Sequence, residues 1–584
     1  MTTKPVLLIG DGAATLTDLI DVARDRRRVA LAPEVAERMA PSRDWIEGII
    51  GGMEAGKDTA PIYSINTGFG SLAGRQAFDD PADAAELSRR LILADAAGVG
   101  RNVDEEVVRA TIFIRIVSLT RGYSGVQFAI VQGLIDMLNK DVFPAVPEYG
   151  SLGASGDLIP LAHIAIVLTA PPNVGGKPVE DDPLDSGEAF VDGRIVSGVK
   201  AMAHAGIPRI PISAKDGLAL LNGTSFSAAQ AALALWDAQV LLDTATITAV
   251  MSIEALRGFG DAFIAELHDA RGQKGQIAIA ARIRQLLSDS SFVTGDRDSN
   301  PDRQPPQDAY SLRCVPQVFG PVKDTLDFVG GIIETEINAA TDNPLIIPEL
   351  PSSRSLKAVS GGNFHAEYLA FAADFLSIVV TEIGNITERR LFRLDDGTLN
   401  RGLPDMLVAS EKVGLDCGFM LPQYLAAALV SDCKTLAHPD SVDSIPTSAN
   451  QEDHVSMANN AGRHARTIVS NIQQVVAIEL LMATQALELR EIERKGTGQT
   501  MGTASRAAVA LVRGTPASDG RPNGHLKKDA VLYPRIRAVA ELVTSGAVIR
   551  AADAALSAPD GVEAETDDET TTEPRAGSDT GAAR

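Results

Sequence analysis

The chain has 584 residues, 45% hydrophobic but only 4% aromatic, and carries a formal net charge of −23. Such acidity argues against nucleic acid as a partner, because a backbone reader needs a basic face, and most simply serves solubility. Three cysteines, Cys314, Cys417 and Cys433, form no CxxC pair and cannot build a disulfide framework, so a reducing, cytoplasmic setting is expected.

The N-terminus lacks the charged-then-apolar order of a secretory signal, and no apolar run of about 18 residues suggests a membrane span. The first motif is Tyr63-Ser-Ile-Asn66-Thr-Gly68-Phe69-Gly70. Its glycines invite a nucleotide reading, but Gly68-x-Gly70-x-x-x-Gly74 has the wrong spacing and no preceding strand. Next come Ala94-Asp95-Ala96-Ala97-Gly98 and a longer block, Gly153-Ala154-Ser155-Gly156-Asp157-Leu158-Ile159-Pro160-Leu161-Ala162-His163. The serine is not a hydrolase elbow, since G-x-S-x-G needs glycine where Asp157 stands. A Pro/Gly-rich excursion at 170–198 holds one strand pair, 187–191 and 194–196, around Asp192-Gly193, which predicts a hairpin with a type I′ turn.

Beyond it, residues 218–257, 322–340, 364–391, 419–436 and 455–492 are rich in Ala, Leu, Val and Ile with few breakers. They read as helices too apolar for a surface and suited to the centre of a bundle. The first of them contains Leu221-Asn222-Gly223-Thr224. The irregular stretch 290–307, with Gly295, Pro301, Pro305 and Pro306, is long enough to be functional or mobile. It leads into Gln307-Asp-Ala-Tyr310-Ser-Leu-Arg313, where Gln307, Tyr310 and Arg313 share a face if the segment is helical. In Ser360-Gly-Gly-Asn363-Phe364-His365-Ala-Glu367, His365 and Glu367 lack the paired histidines of H-E-x-x-H, so no metal is expected. The last block is His438-Pro439-Asp440-Ser-Val-Asp443-Ser-Ile-Pro446-Thr-Ser-Ala-Asn450-Gln451-Glu452-Asp453-His454. Residues 557–584 hold eight acids against two arginines among Thr, Gly, Pro and Ser, a composition that predicts a disordered acidic tail. The expected architecture is mainly α: an N-terminal mixed region, 1–215, with the Ala154-Ser155-Gly156 loop and one small hairpin, then a central long-helix bundle with C-terminal helices, 216–556. No internal repeat is visible.

These blocks, spread from Tyr63 to His454, resemble the histidine and phenylalanine ammonia-lyase family, and the last is closer to its histidine-lyase version. The resemblance implies that Ala154, Ser155 and Gly156 cyclise autocatalytically into methylidene-imidazolone (MIO), an electrophile made from the chain, with no external cofactor. Glycine suits the attack of its amide nitrogen on the Ala154 carbonyl, because backbone atoms must approach closely. It further implies that Tyr63 takes the β-proton, with Tyr310 also catalytic. Asn222, Gln307 and Arg313 hold the substrate's amino-acid end, the arginine as a bidentate fork on the carboxylate, while Phe364 lines the pocket and Gln451 and Glu452 reach it. Tyrosine is a poor base at its usual pKa, so the site is expected to depress it, with helix N-termini as the source of positive potential. The family builds each site from three subunits of a homotetramer, and its activity is elimination of ammonia from an L-α-amino acid to give an α,β-unsaturated acid. A 2,3-aminomutase would use the same residues, and a catalytically silent amino-acid-binding or scaffold homologue would keep the tripeptide uncyclised.

Two departures bear on the substrate. Asp95 stands where histidine lyases carry the histidine that contacts the substrate's side chain, and Asp432 replaces a glutamate. If both face the side chain, they favour one with N–H donors or positive charge, or a polar phenol, over plain phenylalanine. The opposing expectation is that Asp95 turns away and pairs with Arg101.

Overall fold

The computed structural model describes residues 4–57, 59–78, 80–293, 305–412 and 414–558. The expected acidic tail, but for Ser557 and Ala558, and most of the 290–307 loop lie outside these residues. The elements used below are α1 (Ala84–Asp95), α2 (Leu158–Leu168), β1 (Glu188–Val191), β2 (Arg194–Ser197), α3 (Asp216–Leu221), α4 (Ser225–Ala255), α5 (Val315–Ile337), α6 (Glu367–Asp395), α7 (Met420–Leu436) and α8 (Ala458–Glu493).

The core is the bundle of α4, α5, α6, α7 and α8, in which α8 packs along both α4 and α6. Alanine explains the close approach. Ala228, Ala229, Ala231, Ala232 and Ala234 are all buried on α4, and Gly462 of α8 lies against Gln230, where a Cβ would come within 3.1 Å. A helix apolar on nearly every side is stable only where every side is covered.

One buried polar node crosses this core. The Glu479 carboxylate on α8 accepts from Thr248 Oγ1 at 2.7 Å and Ser252 Oγ at 2.9 Å on α4, and from Arg390 Nε at 2.5 Å and Nη2 at 2.9 Å on α6. Both charged side chains are fully buried. Such a pair gains little net stability over apolar packing, but losing one partner strands the other charge.

By length and composition α4, α6 and α8 would each cross a membrane, contrary to what the sequence runs suggested; 72%, 67% and 78% of their most apolar windows are buried inside the bundle. The hydropathy of α4 comes largely from alanine, and that of α6 from Leu, Ile, Val and Phe, of which Phe371, Phe375 and Ile378 are exposed.

The predicted helix over 218–257 is interrupted. It forms as α3 and α4, separated at Asn222-Gly223-Thr224, where Asn222 is extended and Gly223 has φ 141°. The cause is tertiary: Asp157 N–H donates to the Gly223 carbonyl at 2.8 Å, and Gly223 N–H donates to the Ser155 carbonyl at 3.2 Å. Strands are few and short. The predicted hairpin is present as β1 and β2, paired from Glu188↔Ser197 to Val191↔Arg194, with Asp192 at φ 49° and Gly193 at φ 72° as the type I′ turn requires.

Candidate active site

The loop at 153–156 is wound through three residues at positive φ: Gly153 at 96°, Ser155 at 54° and Gly156 at 79°. Gly156 N–H donates to the Gly153 carbonyl at 3.2 Å, which folds the tripeptide back on itself. Side chains larger than hydrogen are excluded on both flanks. A Cβ on Gly153 would stand 2.4 Å from Ser456 Oγ, and one on Gly156 would stand 2.2 Å from the Gly223 carbonyl oxygen. Ser155, a non-glycine residue held in the left-handed region, marks stored strain at this point.

Asp157 anchors the loop. Its fully buried carboxylate accepts from Ser227 N–H at 2.8 Å, Ser227 Oγ at 2.7 Å and Ser151 Oγ at 3.0 Å. Burial pushes its pKa up while these hydrogen bonds oppose the shift. Helices α2 and α4 begin beside the loop, and α8 begins just after Met457, whose N–H donates to the Leu152 carbonyl at 3.0 Å. Three helix N-termini therefore bring partial positive charge to it. Asn222 Nδ2 donates to the Ser155 carbonyl at 3.1 Å, and Asn222 Oδ1 is buried with no hydrogen-bond partner.

Against this loop lies a cavity of about 460 Å³ that gathers Tyr63, Ser155, Phe364, His365, Gln451 and Glu452 among its walls. Tyr63 Oη accepts from Gly70 N–H at 3.3 Å, and its ring packs edge-on against Phe69. Its pKa is raised, not depressed as expected: burial is the main cause, the Gly70 N–H opposes it, and the charges of Glu452 and Asp95 add to it. Asp95 ends α1 close enough to act on the phenol. Burial raises its carboxyl to about 6, and Oδ2 is buried without a hydrogen-bond partner. Arg101 does not take it, pairing instead with Glu148 at 3.4 Å. The segment after Asp95 is tied to α2 by Gly98 N–H donating to His163 Nε2 at 3.1 Å. His163 thus has a positioning task within the motif that carries the tripeptide.

Other predicted residues stand apart in this single chain. Tyr310 is 71% exposed, and Arg313 stacks on its ring at 4.7 Å while Nε donates to the Asp308 carbonyl at 2.8 Å. The shared helical face predicted for Gln307, Tyr310 and Arg313 is not formed. Only Tyr310–Arg313 is helical and Gln307 precedes it, exposed. The side chain of Asp308, between them, is held inward by Phe259 N–H at 2.6 Å and Arg401 Nη2 at 2.6 Å, which fixes the backbone before the helix can start. Asp432 is exposed on α7 and does not line the cavity.

Sequence reasoning missed His454 beside His365, with His365 Nε2 and His454 Nδ1 3.3 Å apart. No local spacing reveals a pair separated by 89 residues. A larger cleft, about 1070 Å³, lies elsewhere, but its Arg24, Glu106, Asp237 and Arg466 are already paired with one another.

A family model described as aromatic amino acid lyase matches residues 14–514. Histidine ammonia-lyase of Caldanaerobacter subterraneus subsp. tengcongensis is 42% identical over 545 residues, which span 93% of this chain and 97% of that protein. Among solved structures, tyrosine aminomutase from Streptomyces globisporus is similar with a TM-score of 0.82 at 32% identity, covering 95% of this chain and 100% of that one. Histidine ammonia-lyase from Trypanosoma cruzi is similar with a TM-score of 0.78 at 34% identity, covering 94% and 95%.

Proposed function

The chain belongs to the aromatic amino acid lyase family and is a carbon–nitrogen lyase of its ammonia-lyase branch, and from that premise we propose how its own residues divide the work. Ala154, Ser155 and Gly156 fit the MIO group. The loop already turns back on itself, Ser155 carries the hydroxyl to be lost, and Asn222 offers a buried, unpartnered oxygen beside it. Once formed, that group supplies an electrophile for the substrate's amine that no ordinary side chain provides. The observation that carries the reading is that Tyr63 and this strained tripeptide line one cavity.

Tyr63 holds and takes the β-proton. Its raised pKa leaves it protonated in a lone chain, so the assembled site must bring positive charge to the phenol. Arg313, the fork for the substrate's carboxylate, is the cation suited to that task from a neighbouring copy, with Tyr310 beside it as a hydrogen-bond donor; neither lines this chain's own cavity.

An assembly of copies is supported by the surface of the bundle. Tyr368, Phe371, Phe375 and Ile378 form an exposed stripe on one side of α6, with Phe328 of α5 beside Phe375. An apolar stripe of this period is the signature of a covered helix face. Leu421 and Leu425 are exposed on α7, and Asp432 lies three turns beyond Leu421 on the same side of that helix. A homotetramer with shared sites accounts for these features together.

The substrate's side chain meets Glu452 Oε2 on the cavity wall, and Asp95, which acts on Tyr63 but does not itself line the cavity, offers Oδ2 nearby; both oxygens are buried without hydrogen-bond partners. Two such oxygens call for N–H donors or a positive charge, as imidazole provides, and disfavour a bare phenyl ring. The relatives named for histidine agree with this chemistry. The test is ammonia release from L-histidine and L-phenylalanine, followed together with the ultraviolet absorbance of the conjugated acid. Turnover of histidine and not phenylalanine is expected, and preference for phenylalanine would overturn the assignment. A β-amino acid product instead would identify the aminomutase reading, which the likeness to tyrosine aminomutase keeps in view.

A further inference from the structure

We propose that His365, Glu367 and His454 form a binding site for a divalent transition-metal ion of the zinc type at the edge of the candidate active-site cavity. Each offers one ligand atom, and the three atoms lie within 4.8 Å of one another. The two imidazole nitrogens, His365 Nε2 and His454 Nδ1, are 3.3 Å apart. A tetrahedral zinc ion with bonds of about 2.0–2.1 Å to nitrogen sets its ligands about 3.3–3.4 Å apart. The histidine pair already stands at that separation.

The carboxylate supplies a second, independent observation. Glu367 Oε2 is buried and has no hydrogen-bond partner; it lies 3.9 Å from His365 Nδ1, the ring nitrogen that does not face His454, and swings toward Nε2 to share an ion with both rings. A hydrogen bond between the two rings leaves that oxygen unsatisfied, at a cost. An ion held by all three groups satisfies it. Two imidazoles and one carboxylate suit zinc and its neighbours rather than magnesium or calcium, which prefer all-oxygen shells. Three protein ligands leave a coordination position open, and both His365 and His454 line the cavity.

The site also has a mechanical consequence. Glu367 opens α6, whereas His454 belongs to the segment before α8 that carries Gln451 and Glu452. An ion would fasten that segment to the start of α6 and so stabilise the cavity wall. This inference does not rest on the lyase reading, because it concerns binding and not turnover.

The full-length protein, freed of metal with a chelator, is titrated with Co²⁺ as a spectroscopic probe, and its thermal unfolding is followed with and without Zn²⁺. The expected result is one Co²⁺ per chain with the visible bands of a four-coordinate ion, and an upward Zn²⁺-dependent shift of Tm. In His454→Ala and in the isosteric Glu367→Gln, each checked for native circular dichroism, affinity falls by at least about tenfold, the lower end of what losing even a supporting group costs a metal site. Absence of such bands in the parent, or undiminished affinity in both variants, would overturn the proposal.

Discussion

Gly156 and Gly223 meet backbone to backbone: a Cβ on Gly156 would stand 2.2 Å from the Gly223 carbonyl oxygen, and that same carbonyl accepts from Asp157 N–H at 2.8 Å. One contact thus both interrupts the helix that would otherwise run through α3 and α4 and presses the tripeptide into its turn. Gly156→Ala has no room for its methyl group and carries in addition about 1–3 kcal/mol of strain from its positive φ. The variant is expected to keep native helix content by circular dichroism, retain both waters in residues 154–156 and release no ammonia.

Tyr63→Phe separates the base from the electrophile. Removing the phenol leaves the loop and its anchors at Asp157 and Asn222 untouched. The tripeptide should therefore lose its waters as in the parent, while kcat falls by about 10²–10⁴, the range for a general base. Mass spectrometry of the peptide beside a rate measurement checks both halves.

The electrostatics around Tyr63 fix the sign of a pH effect. Burial raises its pKa first, and Glu452 and Asp95 raise it further. If the phenolate takes the proton, kcat/KM rises with pH as Tyr63 ionises. Glu452→Gln removes a negative charge that disfavours the phenolate, so the rising limb moves to lower pH. A limb that stays in place or moves upward speaks against Tyr63 as the ionising group.

Asp95 carries a stability cost in the folded state. Its carboxyl is raised from 3.8 to about 6 by burial, so the folded chain binds a proton more tightly than the unfolded one. At pH 8 the ionised group therefore destabilises the fold, by roughly 3 kcal/mol at about 1.4 kcal/mol per unit. Asp95→Asn should raise Tm at pH 8, and the gain should fade as pH drops through about 6 toward 4, where Asp95 is neutral in both states. Thermal melts of both proteins across this range test it.

The motifs around Tyr63, Ser155, Asn222, Phe364 and Gln451 were legible in the sequence, and the chain brings them to one place. The hairpin was legible too, since Asp192-Gly193 meets a turn's demand locally. What could not be read follows a common cause. The break at Gly223 contradicts the local apolar pattern and arises from a distant glycine. The raised phenol of Tyr63 depends on burial and on two carboxylates from other segments. The His365–His454 pairing joins segments on either side of two long helices. The exposure of Tyr310, with Arg313 half-buried and stacked on its ring, depends on which surfaces the whole fold leaves open.

The Glu479 node makes a prediction for the bundle alone. Glu479→Gln removes the charge that balances a fully buried Arg390. Breaking a buried pair by losing one partner destabilises by about 3–5 kcal/mol. The unfolding midpoint in urea should fall accordingly, with no change in the mass of the 154–156 peptide from whatever folded protein is recovered.

The central claim is that this chain makes its own electrophile at Ala154-Ser155-Gly156. The most direct measurement is the mass of the proteolytic peptide that spans those residues, taken from the purified native protein. A mass lower by two waters than the sequence requires is the predicted result. A peptide at its full mass would contradict the account and leave Tyr63 facing an ordinary turn.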